Sequence, residues 1–212
     1  MKTQIPYIVE HTGYLVKKRD LEIRLQNLAP FREPKVGLEQ YPTHSSIATD
    51  ILFEAYANGD IAGKDVVDLG CGTGIFAIGA SLLGASSVTA YDIDPDALEI
   101  AKNNATALGC EIDFIESDIS KVEGKYDTAL MNPPFGSQKK HADQPFLKTA
   151  MTVADVVYSI HMACTLDYLD KETKAFSKEI AGHRIYKYEI PHTFSFHTKT
   201  KKSVDIVAIN IR

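Results

Sequence analysis

Apolar and polar positions change their rhythm near residue 64, which divides the chain into two kinds of segment. Before that point the spacing is helical. Leu21, Leu25 and Leu28 fall three or four residues apart across 17–28, and Pro30 closes the run. Residues 31–42, broken by Pro34, Gly37 and Pro42, read as a loop. Thr43-His44-Ser45-Ser46 then offers capping side chains for a helix to about Ala57, with Ile47, Ile51, Leu52 and Ala55 on one face. The first sixteen residues alternate weakly around Gly13 (Tyr7 with Val9, Tyr14 with Val16) and predict a short hairpin.

From Lys64 onward, short apolar strands alternate with helices. Strands are predicted at Asp65-Val66-Val67-Asp68-Leu69, at Ser87-Val88-Thr89-Ala90-Tyr91, and over 111–115 and 126–131. Helices fall over 75–83 and 94–108, the second with Asp94 as N-cap acceptor and Pro95 in its first turn. Residues 144–152 predict a further helix, 156–160 a strand and 166–180 a helix. Two alternating strands, 184–190 and 204–211, flank a basic loop and predict a late antiparallel hairpin. The expected fold is α/β: one open, mostly parallel sheet covered on both faces, with the hairpin at its C-terminal side and a helical segment at its N-terminal side. Residues 1–16 are expected as an extension and 17–212 as a single domain. Within it, 17–60 supply the N-terminal helices and a covering loop, and 61–212 the core.

Ligands of such sheets bind beyond the carboxyl ends of the strands. Asp68, the glycines 70, 72 and 74, Asp92, Asp118 and Asn132 all stand at successive strand ends. The glycines of Gly70-Cys71-Gly72-Thr73-Gly74 let a ligand approach the backbone and the N–H groups of the helix that follows. A dinucleotide site would place a third glycine where Ile75 stands, and would not place an acid at Asp68. Asp68 suits a cationic amine instead. Asp92, 22 positions after Gly70, suits a pair of ribose hydroxyls, and Asp118 an adenine amino group. Amine, ribose and adenine together describe S-adenosylmethionine.

The chemistry converges on Met131-Asn132-Pro133-Pro134-Phe135-Gly136. Each proline fixes φ and removes a backbone donor, leaving carbonyls free to accept. With the Asn132 amide oxygen and the flat face of Phe135, this notch suits a planar ring bearing an exocyclic amino group. Asn132, Pro133, Pro134 and Phe135 are therefore the expected catalytic residues. Asn132, an amide, would position and stabilise rather than act as a base.

Composition narrows the picture. The chain has 212 residues, 44% apolar and 24% charged, with no apolar run long enough for a transmembrane helix. Its start lacks an apolar signal core, so a cytoplasmic location is expected. Cys71, Cys110 and Cys164 form no Cys-x-x-Cys pair, and neither a disulfide framework nor a metal site is expected. The net charge of −5 is unevenly spread: from Lys171 onward nine Lys/Arg face four acids, so residues 1–170 carry −10. That asymmetry suggests a local polyanion-binding face at Lys199, Lys201 and Lys202, and Lys139 and Lys140 on the loop after the notch could meet phosphates; these five are the expected RNA contacts.

These residues carry a family resemblance. Asp68-Leu69-Gly70-Cys71-Gly72-Thr73-Gly74 resembles motif I of Rossmann-like class I methyltransferases, and Asn132-Pro133-Pro134-Phe135 resembles motif IV of those that methylate planar nitrogens. With Leu38-Glu39-Gln40-Tyr41-Pro42-Thr43, Asp92-Ile93-Asp94, Phe146-Leu147-Lys148-Thr149-Ala150 and Lys201-Lys202-Ser203-Val204-Asp205, residues 18–212 look like the methyltransferase-like family that makes N6-methyladenosine in small-subunit rRNA. The resemblance implies a seven-stranded sheet. It also implies cofactor contacts at Gln40, Thr43, Gly70, Gly72, Thr73, Ile75, Asp92, Ile93, Asp118, Ile119 and Asn132. Finally, it implies a small zinc-containing activator protein that adds to a sheet edge. The same notch would serve guanine N2 or a protein glutamine amide, and a cofactor-binding scaffold without catalysis is the alternative of another class.

Overall fold

The computed structural model describes residues 8–9, 15–136, 138, 140–190 and 202–212. Its centre is a seven-stranded sheet. The strands are β1 (Asp65–Leu69), β2 (Ser87–Asp92), β3 (Asp113–Glu116), β4 (Tyr126–Met131), β5 (Ala154–Met162), β6 (Ile180–Ile190) and β7 (Lys202–Ile211), in the order β3-β2-β1-β4-β5-β7-β6. The first five run parallel, and β7 lies antiparallel between β5 and β6. The expected mostly parallel sheet with an antiparallel C-terminal hairpin is thus present. The two-residue ladder of Ile8–Val9 with Leu15–Val16 matches the expected N-terminal hairpin as far as residues there are described.

Among the described residues six α-helices cover the sheet: α1 (Lys18–Gln26), α2 (Ser45–Ala57), α3 (Ile75–Leu82), α4 (Pro95–Ala107), α5 (Gln144–Val153) and α6 (Leu166–Ala175). Leu21, Leu52, Ile78 and Leu98 of the first four share one buried apolar cluster with Val66 and Leu130 of the sheet. Leu147 and Met151 of α5 and Leu169 of α6 share the other, with Val67, Leu69 and Val207. This two-sided burial explains why β1, fully buried after its first residue, reads as a continuous apolar run around Asp68. Where α2 crosses α3 the helices touch at Gly79, whose missing Cβ would stand 2.2 Å from Leu52 Cδ1. Among the described residues no helix is long and apolar enough to cross a membrane.

Several boundaries differ from the sequence expectation; the strand expected over 156–160, for instance, spans Ala154–Met162. The third strand begins at Asp113 rather than Glu111. The last helix stops at Ala175, and strand conformation resumes at Ile180 rather than Arg184. Ser177 takes φ +57°, and the N–H groups of Ser177 and Lys178 turn back to the carbonyls of Lys174 and Thr173. A left-handed residue ends a helix in this way, but it is usually glycine, so this sequence gave no stop signal. Thr43 does not cap α2 either: its N-cap residue, His44, makes no side-chain cap bond.

Candidate active site

A cavity of about 450 Å³ opens at the carboxyl ends of the parallel strands. Its floor is the turn after β1, tied to β2 by Gly70 and Cys71 N–H bonds to the Tyr91 carbonyl at 2.8 and 2.9 Å. Gly70 and Gly72 both have positive φ, where L side chains are strained. A Cβ at Gly70 would stand 2.9 Å from the Phe146 ring, and one at Gly72 2.9 Å from Phe31. The glycines therefore let the backbone itself line the cavity between two aromatic rings.

Asp92, at the end of β2, faces the same space. Its Oδ2 accepts the Gly72 N–H at 2.7 Å and its Oδ1 the Asp94 N–H at 2.9 Å. Burial pushes this carboxyl upward, partly offset by those two donors. Each oxygen keeps a further lone pair for a ligand hydroxyl. Ile93, half exposed, presents an apolar face at the rim. Asp118 begins a short turn, accepting the Ser120 N–H at 2.8 Å, and lines the cavity with Ile119.

The N-terminal segment closes the cavity from above. Gln40 spends its amide on holding that segment down: Oε1 accepts the Lys35 N–H, and Nε2 donates to Asp94 Oδ2, both at 2.7 Å. Lys35 Nζ reaches Asp94 at 2.5 Å and Asp96 at 2.8 Å. Burial would raise the Asp94 carboxyl, but the Lys35 ammonium and Gln40 amide outweigh it and hold it below the usual carboxylate range. Glu39, at φ +50°, accepts the Gln138 N–H at 2.7 Å and joins this segment to the loop beyond the notch.

Asn132, just past the end of β4, meets that segment. Its Nδ2 donates to Thr43 Oγ1 at 2.9 Å, while its Oδ1 is buried with no hydrogen-bond partner. A buried acceptor without a donor is costly, and its persistence points to a ligand donor. Pro134 lines the cavity; Pro133 is buried outside the lining. Phe135 also lies outside it, packed edge-on to Tyr188 with ring centroids 6.5 Å apart. Behind the start of α5, His161 sits buried between Ser159 Oγ (2.8 Å) and Asp143 (3.3 Å), tying that helix to β5.

The structure therefore brings Gln40, Thr43, Gly70, Gly72, Thr73, Ile75, Asp92, Ile93, Asp118, Ile119, Asn132 and Pro134 to one cavity. Asp68 is the exception among the expected cofactor residues. Its Oδ2 accepts the Ala77 N–H at 2.9 Å inside the first turn of α3, and its Oδ1 has no partner. Burial pushes its carboxyl up to about 7. The folded chain thus binds this proton more tightly than the unfolded one. The stability it confers is full below pH 4 and is lost as pH rises through about 7. Asp68→Asn should accordingly flatten the fall in melting temperature between about pH 4 and 7, read by calorimetry.

Lys140 is exposed; Lys139, Lys199 and Lys201 lie outside the described residues, as does the side chain of Lys202. Sequence reasoning passed over Phe31, Glu39, Phe146 and Tyr188. Glu39 and Phe146 stood inside quoted motifs; Phe31 and Tyr188 carried no local signal. Among the described residues no group of three His, Cys, Asp or Glu is placed to hold a metal ion.

Comparison with known proteins places this geometry. The family described as methyltransferase small domain matches residues 43–155. The zebrafish (Danio rerio) protein rRNA N(6)-adenosine-methyltransferase METTL5 is 38% identical over 205 residues, 93% of this chain and 98% of that one. Its Drosophila melanogaster counterpart is 34% identical over 200 residues, 90% and 94% of the two chains. The crystal structure of Pyrococcus horikoshii PH1948 superposes with a TM-score of 0.86 at 38% identity, covering 92% of this chain and 97% of that one.

Proposed function

Since the chain belongs to the methyltransferase small-domain family, we propose that it transfers a methyl group from S-adenosylmethionine to N6 of an adenosine in small-subunit rRNA. Bound S-adenosylmethionine supplies an electrophilic methyl on a sulfonium centre. The observation that carries the reading is the buried, unpartnered Oδ1 of Asn132, a residue that lines the same cavity as Asp92. The family and the names of the zebrafish and fruit-fly relatives support an RNA adenine as acceptor.

The residues fit the cofactor. Gly70 and Gly72 offer backbone, Asp92 offers lone pairs to two hydroxyls, and Ile93, Phe31 and Phe146 offer apolar surface for a flat base. Thr43 fixes which end of the Asn132 amide faces inward: by accepting from Nδ2 it leaves Oδ1 to accept. An adenine N6–H donated to that oxygen loses some conjugation of its lone pair with the ring and becomes a better nucleophile, aimed by the same bond. Phe135 provides the outer flank for a base splayed from its strand. Exposed Lys140, on the loop beyond the notch, is assigned to phosphate contact. The unpaired side of β3, at the sheet edge, is assigned to the added strand of a small zinc-containing activator.

The test is incubation of the chain with methyl-labelled S-adenosylmethionine and either small- or large-subunit rRNA, followed by digestion to nucleosides. Label in N6-methyladenosine of small-subunit rRNA is expected. Label in guanine N2, in glutamine of added protein, or only in large-subunit rRNA overturns the proposed acceptor.

A further inference from the structure

Tyr188 belongs to β6, far in sequence from the cavity residues, yet it touches both Phe135 of the notch and the N-terminal segment that covers the cavity. Its ring meets Phe135 edge-on, with centroids 6.5 Å apart at 86°, and meets His44 at 5.1 Å and 70°. Its hydroxyl donates to the Pro42 carbonyl at 2.9 Å. Pro42 directly precedes Thr43, whose Oγ1 holds the Asn132 amide, and Phe135 follows Asn132 by three residues. One side chain thus fixes the N-terminal segment that orients the acceptor amide and the aromatic flank beside it. We infer that Tyr188 is a positioning residue for methyl transfer, acting through Thr43 on Asn132 and directly on Phe135.

Two features separate this from ordinary packing. Tyr188 is only 3% exposed, and burial pushes its hydroxyl up to about 12, so it remains a donor throughout the working range of pH. Pro42, by contrast, is exposed. A single neutral hydrogen bond contributes little to folding, so its loss chiefly releases the direction it fixes. A slight misplacement of reacting groups is what catalysis tolerates least.

The inference rests on the methyl-transfer reading, and the experiment keeps the two apart. Wild type, Tyr188→Phe, Thr43→Val and the double variant are assayed on whichever acceptor the wild type labels, so a wrong acceptor leaves the comparison intact. Tyr188→Phe is expected to lower kcat about tenfold, while KM for S-adenosylmethionine stays within about twofold and Tm moves by a few degrees at most. In the Thr43→Val background the same change should cost little more, since both act through one amide. Retention of kcat within about twofold overturns the inference. So does a parallel loss of cofactor affinity, or independent, multiplicative losses in the double variant.

Discussion

Asn132→Ala is expected to lower kcat by about 10³-fold while affinity for S-adenosylmethionine stays within about twofold. The size follows from what the amide does. Its Oδ1 lies buried without a donor, and its Nδ2 is held by Thr43, so the acceptor is aimed before any base arrives. An adenine amino group is a poor nucleophile, and a preorganised acceptor in a dry site contributes far more than one in water. Removing the side chain also removes an unsatisfied polar atom, so the protein should not lose stability. Single-turnover transfer at saturating cofactor, set beside calorimetric affinity, separates the two quantities. A variant with most of its transfer rate intact excludes Asn132 as the acceptor.

Asp92→Ala should act on the other side of the ledger of rate and binding, weakening cofactor affinity by about 10- to 100-fold. The carboxylate has two tasks. It accepts the N–H groups of Gly72 and Asp94, which shapes the glycine turn, and it leaves lone pairs toward the cavity. Asp92→Asn keeps the volume and one acceptor oxygen, and should recover part of the loss. Titration calorimetry reads both, and an unchanged dissociation constant for the alanine variant removes Asp92 from the ribose role.

Much of this was legible in the chain because strand ends in a parallel sheet are a physical landmark. Asp92 and Asn132 close apolar strands, and both reach the common cavity. The same rule sent Asp68 toward a cationic amine in the cavity, whose lining does not include it. It sits one residue before the end of β1, where the side chain turns under α3 and takes a backbone N–H of that helix. Phe135 illustrates another limit. Past the last strand residue no periodicity fixes where a ring points, and this one points at Tyr188. Tyr188 itself was invisible: 146 positions separate it from Pro42, and only the antiparallel return of the chain brings them together. Thr43 had two uses open to it, as cap and as cavity residue, and the second prevailed because Asn132 needed an acceptor for its amide hydrogens.

The threading of β7 between β5 and β6 has a consequence for biosynthesis. A ribosome delivers β6 before β7, so Tyr188 emerges with no sheet to join. It can dock only after residues 202–211 have been made and inserted. A nascent chain that already carries its glycine turn and Asn132 therefore still lacks the brace on its methylation centre. Full activity therefore awaits translation of the seventh strand.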